Sequence, residues 1–233
     1  MLNSINVKVF VSIIMGRDAV NIRIMLSKSN IDEIFERLQK ENPNPTSELV
    51  AHNDFTFAVA VLLSAQTTDR MVNKVTKSLF ETTDTPEKML ALGIDKLKEY
   101  IHPLGFFNNK AKNVIALSKV LLEKYNSQIP TTRDELEQLP GIGRKSANVI
   151  ANRLFGADTI AVDTHVLRVS RRLGLSQATD PVTVEKDLLN VVQQKFHKNA
   201  SDWLVLHGRY ICTAKKPKCS ECCLYDLCEM ANR

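Results

Sequence analysis

The sequence predicts an all-α fold of about nine or ten helices, and three observations predict it. Capping residues followed by helix-period apolar faces recur from Ser27 onward. Nothing in that stretch alternates apolar and polar residues in a way that would pair as strands. A Pro-Gly-x-Gly turn joins two of the helical segments.

Residues 1–24 stand apart. INVKVFVSI alternates like a strand without a later partner, and Arg17 and Asp18 break a run too short for a secretory signal. A start codon placed too far upstream, with Met25 the true beginning, is the preferred explanation; an organelle-targeting extension is the second. From there the first helix is expected after Asn30, with Ile31, Ile34, Phe35 and Leu38 on one face, stopped by ENPNP. FTFAVAVLLSAQ is apolar nearly all round, as a helix buried in the middle of a domain is. Thr85 before Pro86 and Asp180 before Pro181 are N-caps with proline at the first helical position. Between them, Val114, Ile115, Leu117, Leu121 and Leu122 make the face of a longer helix, and Thr132 with Glu135 can form a capping box.

LEQLPGIGRKSANVIANRLFG is a helix-hairpin-helix. Leu136 and Leu139 close one helix, Pro140 and Gly141 break it, and Ala147, Val149, Ile150 and Leu154 face inward on the next. Without side chains, the Gly141 to Gly143 backbone can press its N–H groups against a phosphate, where the helix dipole favours an anion. Arg144 and Lys145 follow at once and add charge. An ordinary tight turn is the plainer alternative.

Lys145 has a second possible use. In the first turn of a helix the dipole disfavours a cation, and Arg144 adds like-charge repulsion. Both ease loss of its proton, and the free amine is a nucleophile able to form a Schiff base with a sugar aldehyde carbon. Most lysines so placed simply contact phosphate. Eighteen residues on, Asp163 is expected to cap the helix that begins near Thr164; a capping carboxylate can also stabilise positive charge developing on a sugar ring.

The net charge of +5 permits an anionic partner without requiring one, but Arg144 to Arg172 holds six cations against two carboxylates. No run of about 18 apolar residues predicts a membrane span. All five cysteines fall between Cys212 and Cys228. In a reducing compartment such a cluster holds metal more often than disulfides, and Cys212, Cys219, Cys222 and Cys228 are separated by six, two and five residues. That spacing alone leaves zinc and iron-sulfur both open, and Cys223 is spare.

Taken together, LPGIGRKSAN, IAVDTHVLRV, VLLSAQTTD, LHGRY and the cysteine tail resemble the endonuclease III family of helix-hairpin-helix DNA glycosylases and abasic-site lyases, over essentially Met25 to Arg233. The resemblance implies two all-α domains with the DNA cleft between them: a six-helix barrel over 47–157 with the hairpin at about 136–155, and a discontinuous domain of 25–46 plus 158–233 that carries a [4Fe-4S] cluster. It makes Lys145 the nucleophile, Asp163 its carboxylate partner, and the four spaced cysteines the cluster ligands. It also places Gln66 and Phe106 where a polar and an apolar residue enter the base stack, although Phe106 is larger than the aliphatic residue expected there. Gln66 could instead cap the buried helix, Phe106 could belong to the core, and His165 could be a packed residue rather than a DNA contact. Lys215, Lys216 and Lys218, in the loop closed by the first two ligands, become a basic prong for phosphates.

The implied partner is double-stranded DNA with damaged bases or abasic sites, the implied substrates are oxidised pyrimidines, and a cytoplasmic monomer is expected, organellar or nuclear in a eukaryote. Two competing expectations remain. An adenine-removing mismatch glycosylase shares the scaffold, but that family lacks the lysine and carries a further domain. A noncatalytic, metal-stapled DNA-binding module would bind DNA without cleaving it.

Overall fold

Every regular element of the computed structural model, which describes residues 26–45 and 48–231, is helical. The expectations for residues 1–24 lie outside the described residues. Eleven α-helices and two single 3-10 turns are described. The count exceeds ten partly because Gly93, at φ 79°, both ends one short helix and begins the next. The chain divides into two units, one from Pro45 to Ala161 and one that joins the residues up to Asn44 with those from Val162 on.

In the first unit six helices of seven residues or more, together with one of five, surround an apolar core: α2 (Asp54–Leu63), α3 (Asp69–Thr82), α4 (Pro86–Leu92), α5 (Ile94–Ile101), α6 (Phe107–Lys124), α7 (Arg133–Glu137) and α8 (Arg144–Phe155). Phe55 through Leu63 of α2 are all buried, as its nearly continuous apolar sequence requires. Asn53 starts it with a reciprocal cap: its Oδ1 accepts from Thr56 N at 2.8 Å, and Thr56 Oγ1 accepts from Asn53 N at 3.0 Å. Against α2 and its neighbours pack Val72 and Leu79 of α3, Val114, Leu117 and Leu121 of α6, and Ala147 and Ile150 of α8.

Three local expectations change. Leu122 is exposed, because it falls one residue past Leu121 and rotates off the buried face of α6. Thr132 accepts from Glu135 N, but its hydroxyl also donates to the Glu135 carboxylate, so that side chain does not close the reciprocal half of a box. The first helix begins earlier than expected, since Ser27 rather than Asn30 caps it by accepting from Asn30 N.

That helix, α1 (Lys28–Glu41), belongs to the second unit with α9 (Thr164–Leu173), α10 (Pro181–Val191) and α11 (Gln194–Tyr210). Phe35 of α1 stacks on Phe196 of α11 at 5.6 Å between ring centres, and Trp203 completes the aromatic cluster. The Trp203 indole donates to the Asn42 carbonyl at 2.8 Å, so the buried polar tip of the ring also finds a partner. Gly208 lets α11 approach α9 closely: a Cβ there would lie 3.0 Å from His165 Cβ and 3.1 Å from Val169 Cγ2.

Candidate functional site

The two hairpin glycines have different jobs. Gly141 sits at φ 78°, and a Cβ on it would meet Asn113 Cβ at 2.8 Å and Leu62 Cδ1 at 2.9 Å, so folding alone demands glycine there. Gly143 has an ordinary φ of −96° and nothing within 4 Å of where a Cβ would stand. No contact inside this unit requires it to be glycine. Ile142 between them is buried and anchors the turn.

Gly143 is also the N-cap of α8, and no side chain caps that helix. The positive end of the dipole therefore meets an open, side-chain-free surface. Arg144 is half-buried and Lys145 exposed in the first turn, with Ala147 and Ile150 pointing to the core on the other side of the helix. The amine that the sequence singles out is presented outward.

Asp163 caps α9 as expected. Its Oδ1 accepts from His165 N at 2.8 Å and Val166 N at 2.9 Å, while its Oδ2 accepts from no described residue. His165 is half-buried, and its Nδ1 lies 3.2 Å from Arg168 Nη2. Arg168 in turn donates to the carbonyls of Gly208 at 2.9 Å and Cys212 at 3.2 Å. The capping carboxylate thus adjoins a hydrogen-bonded series that ends on the first of the clustered cysteines.

Cys212, Cys219, Cys222 and Cys228 line one pocket, with Leu173, Ile211 and Pro217 among the apolar walls; Cys223 is not part of it. No three metal-binding side chains among the described residues converge on a single point. Four thiols lining one pocket supply the four-cysteine donor set that an iron-sulfur cluster takes. Burial pushes the Cys222 thiol up to about 11 and raises that of Cys228, so iron must displace protons to bind. Burial also lowers His207, to about 4, leaving a neutral imidazole with Nε2 3.5 Å from Cys222 Sγ.

Two arginines missed by the sequence reading hold this end of the chain. Arg172 donates to Thr213 O at 2.7 Å, Ala214 O at 2.9 Å and Cys212 Sγ at 3.3 Å. Arg37 grips Asp226 with two hydrogen bonds, at 2.6 and 3.1 Å, and donates to Cys223 O at 2.9 Å, which gives the spare cysteine a backbone role. In sequence both are ordinary helix-surface cations; Arg172 sits in the last turn of α9, where a basic residue needs no other reason. The loop that Arg172 fixes exposes Lys215, Lys216 and Lys218, of which Lys218 faces Glu221 at 3.9 Å.

Gln66 and Phe106 are both exposed, Phe106 to 66%. Ser64, not Gln66, caps α2, and Phe106 is outside the core. Both occupy the left-handed backbone region, at φ 53° and 57°, along with Asn126 and Ser127 as the non-glycine residues described there. For an aromatic residue that conformation is rare, and strain of this kind concentrates at functional positions.

An all-helical unit that ends in a glycine hairpin, followed by a thiol-lined pocket, defines a class. The family model for the HhH-GPD superfamily of base excision DNA repair proteins matches residues 59–194, and that for the iron-sulfur binding domain of endonuclease III matches residues 212–228. Similar proteins are endonuclease III of Rickettsia felis, 54% identical over 87% of this chain and 95% of its own, and that of Escherichia coli K12, 47% identical over 88% and 97%. The fold matches a solved structure of a trapped endonuclease III–DNA covalent intermediate with a TM-score of 0.84 and 42% identity, over 89% of this chain and 98% of that one. The chain belongs to the endonuclease III family: it is a bifunctional DNA glycosylase and abasic-site lyase with a [4Fe-4S] cluster. The mismatch-glycosylase and noncatalytic alternatives are thereby set aside.

Proposed function

We propose that this enzyme removes oxidised pyrimidines from duplex DNA through Lys145. Its amine attacks C1′ of the damaged nucleotide as the glycosidic C–N bond breaks, and the base departs with a proton. Asp163, whose Oδ1 is committed to capping α9, supports the cationic sugar and its proton transfers. The resulting Schiff base acidifies C2′. Loss of that proton expels the 3′ phosphate by β-elimination, and water hydrolyses the imine to free the lysine.

Grip on the DNA comes mostly from phosphate contacts, which position the strand without reading sequence. The Gly141 to Gly143 backbone, Arg144, Lys215, Lys216 and Lys218 supply them, and His165 borders the same carboxylate-capped turn. Flipping a base leaves a gap, into which Gln66 and Phe106 project. Cys212, Cys219, Cys222 and Cys228 hold the cluster, whose part is to brace the basic loop. The chain acts as a monomer.

The observation that carries this reading is an outward-facing amine in the first turn of α8, two residues after a glycine that no packing contact within its unit demands. Borohydride reduction tests it. The parent protein should give a covalent adduct with abasic duplex, and Lys145→Ala should give none while still binding the same DNA. An undiminished adduct from Lys145→Ala would refute the assignment.

A further inference from the structure

Lys110, in the first turn of α6, is buried, with 5% of its surface exposed. Lysine is almost never so buried unless paired with an opposite charge. Its described side-chain partner is a neutral hydroxyl: Nζ donates to Thr67 Oγ1 at 2.7 Å, across 43 residues of sequence. Burial lowers its amine below the ordinary lysine range. An apolar side chain of similar length would avoid that desolvation, so packing alone does not account for a lysine here.

The bond joins two turns. Thr67 Oγ1, while accepting from Lys110, is 3.4 Å from the Ala65 carbonyl, to which its own proton points. Ala65 and Thr67 flank Gln66, so this hydroxyl spans the left-handed turn that presents it. On the other side, the Lys110 backbone N–H donates to the Phe106 carbonyl at 3.0 Å. One residue therefore holds the Gln66 turn by its side chain and the Phe106 turn by its main chain.

We propose that Lys110 is a positioning residue that couples these turns into one wedge, so that Gln66 and Phe106 enter the base stack together. The inference rests on the reading above that both side chains fill the gap. A wedge of two independently moving turns would lose ordering entropy at the moment of insertion, whereas a preassembled one has already lost it.

The test uses the intact cluster-loaded protein and a duplex with 2-aminopurine beside a tetrahydrofuran abasic analogue, whose fluorescence rises as the neighbouring base unstacks. Thr67→Val keeps the shape of the side chain and removes the hydroxyl. It should lower the fluorescence response and kcat for base removal about tenfold, as loss of one charge-assisted hydrogen bond does. KM should stay within about twofold, because phosphate contacts supply ground-state binding. Thr67→Ser should restore both, and Lys110→Met should repeat the Thr67→Val result. Gln66→Ala and Phe106→Ala separate the two ideas. If they depress the response and Thr67→Val does not, the coupling is refuted and the insertion stands. If neither depresses it, the insertion falls and the coupling with it.

Discussion

The unit from Pro45 to Ala161 and the unit that ends in the cysteines are held by different physics. The first is built round α2, in which nine consecutive residues from Phe55 to Leu63 are buried. Its cohesion is apolar, non-directional and spread over many side chains. The second has an aromatic cluster between α1 and α11, but its terminal segment has little regular structure: two single 3-10 turns, fixed by directional bonds from Arg37 and Arg172 to backbone carbonyls and by thiols round a pocket. A loss in the first region is shared by many contacts and lowers the stability of the whole unit. The other depends on a few donors and a cofactor, so its failures should be local and should show first in cluster retention.

Substitutions can break or sharpen that contrast. The largest effect belongs to the apolar unit: Leu63→Ala, at a wholly buried position, should cost about 3 kcal/mol of unfolding free energy in urea, as large-to-small core changes do. Gly141→Ala should follow at about 2 kcal/mol, combining left-handed backbone strain with close contacts to Asn113 and Leu62. Gly143→Ala, two residues further on, should cost no more than about 1 kcal/mol but weaken binding to abasic-analogue duplex, since its Cβ enters open space at the helix N-terminus. Equal stability losses for the two glycines would erase the distinction drawn between them.

In the cysteine-bearing unit, Arg172→Gln should remove about 1–3 kcal/mol of local stability through lost charge-assisted hydrogen bonds. Visible absorbance should then decay faster under a chelator, while hydrogen exchange in α2 stays as slow as in the parent. Quickened exchange in α2 as well as in the cysteine-bearing unit would mean that their stabilities are not separable. Asn53→Ala loses the cap of α2 and should lower the melting midpoint by the equivalent of about 1 kcal/mol.

The same contrast explains what could be read from sequence. Helices in the apolar unit announce themselves through periodicity and caps, so the buried body of α2 and the Thr85–Pro86 start of α4 were legible, while the stop of α2 at Leu63 was not. Leu122 failed because a one-residue step round a helix matters more than apolar character. Among the candidate site residues, local context singled out Lys145, Asp163 and the four cysteines through a glycine turn, a cap position and a spacing, and the family resemblance suggested their roles. Arg37 and Arg172 were not, since their partners lie 186 and 41 residues away and surface cations carry no signature of what they will meet. Lys110 was hidden for the same reason. Its setting between the turn at Phe106 and a buried face resembles any amphipathic helix start, and only the fold brings Thr67 to it.

Catalysis turns on which amine forms the bond to DNA. Proteolysis of the borohydride-reduced protein–DNA adduct, followed by mass spectrometry of the cross-linked peptide, measures this directly. The modified residue should be Lys145, within the peptide that spans the hairpin. An adduct on Lys110, on a lysine of the cluster loop or on the terminal amine would contradict it.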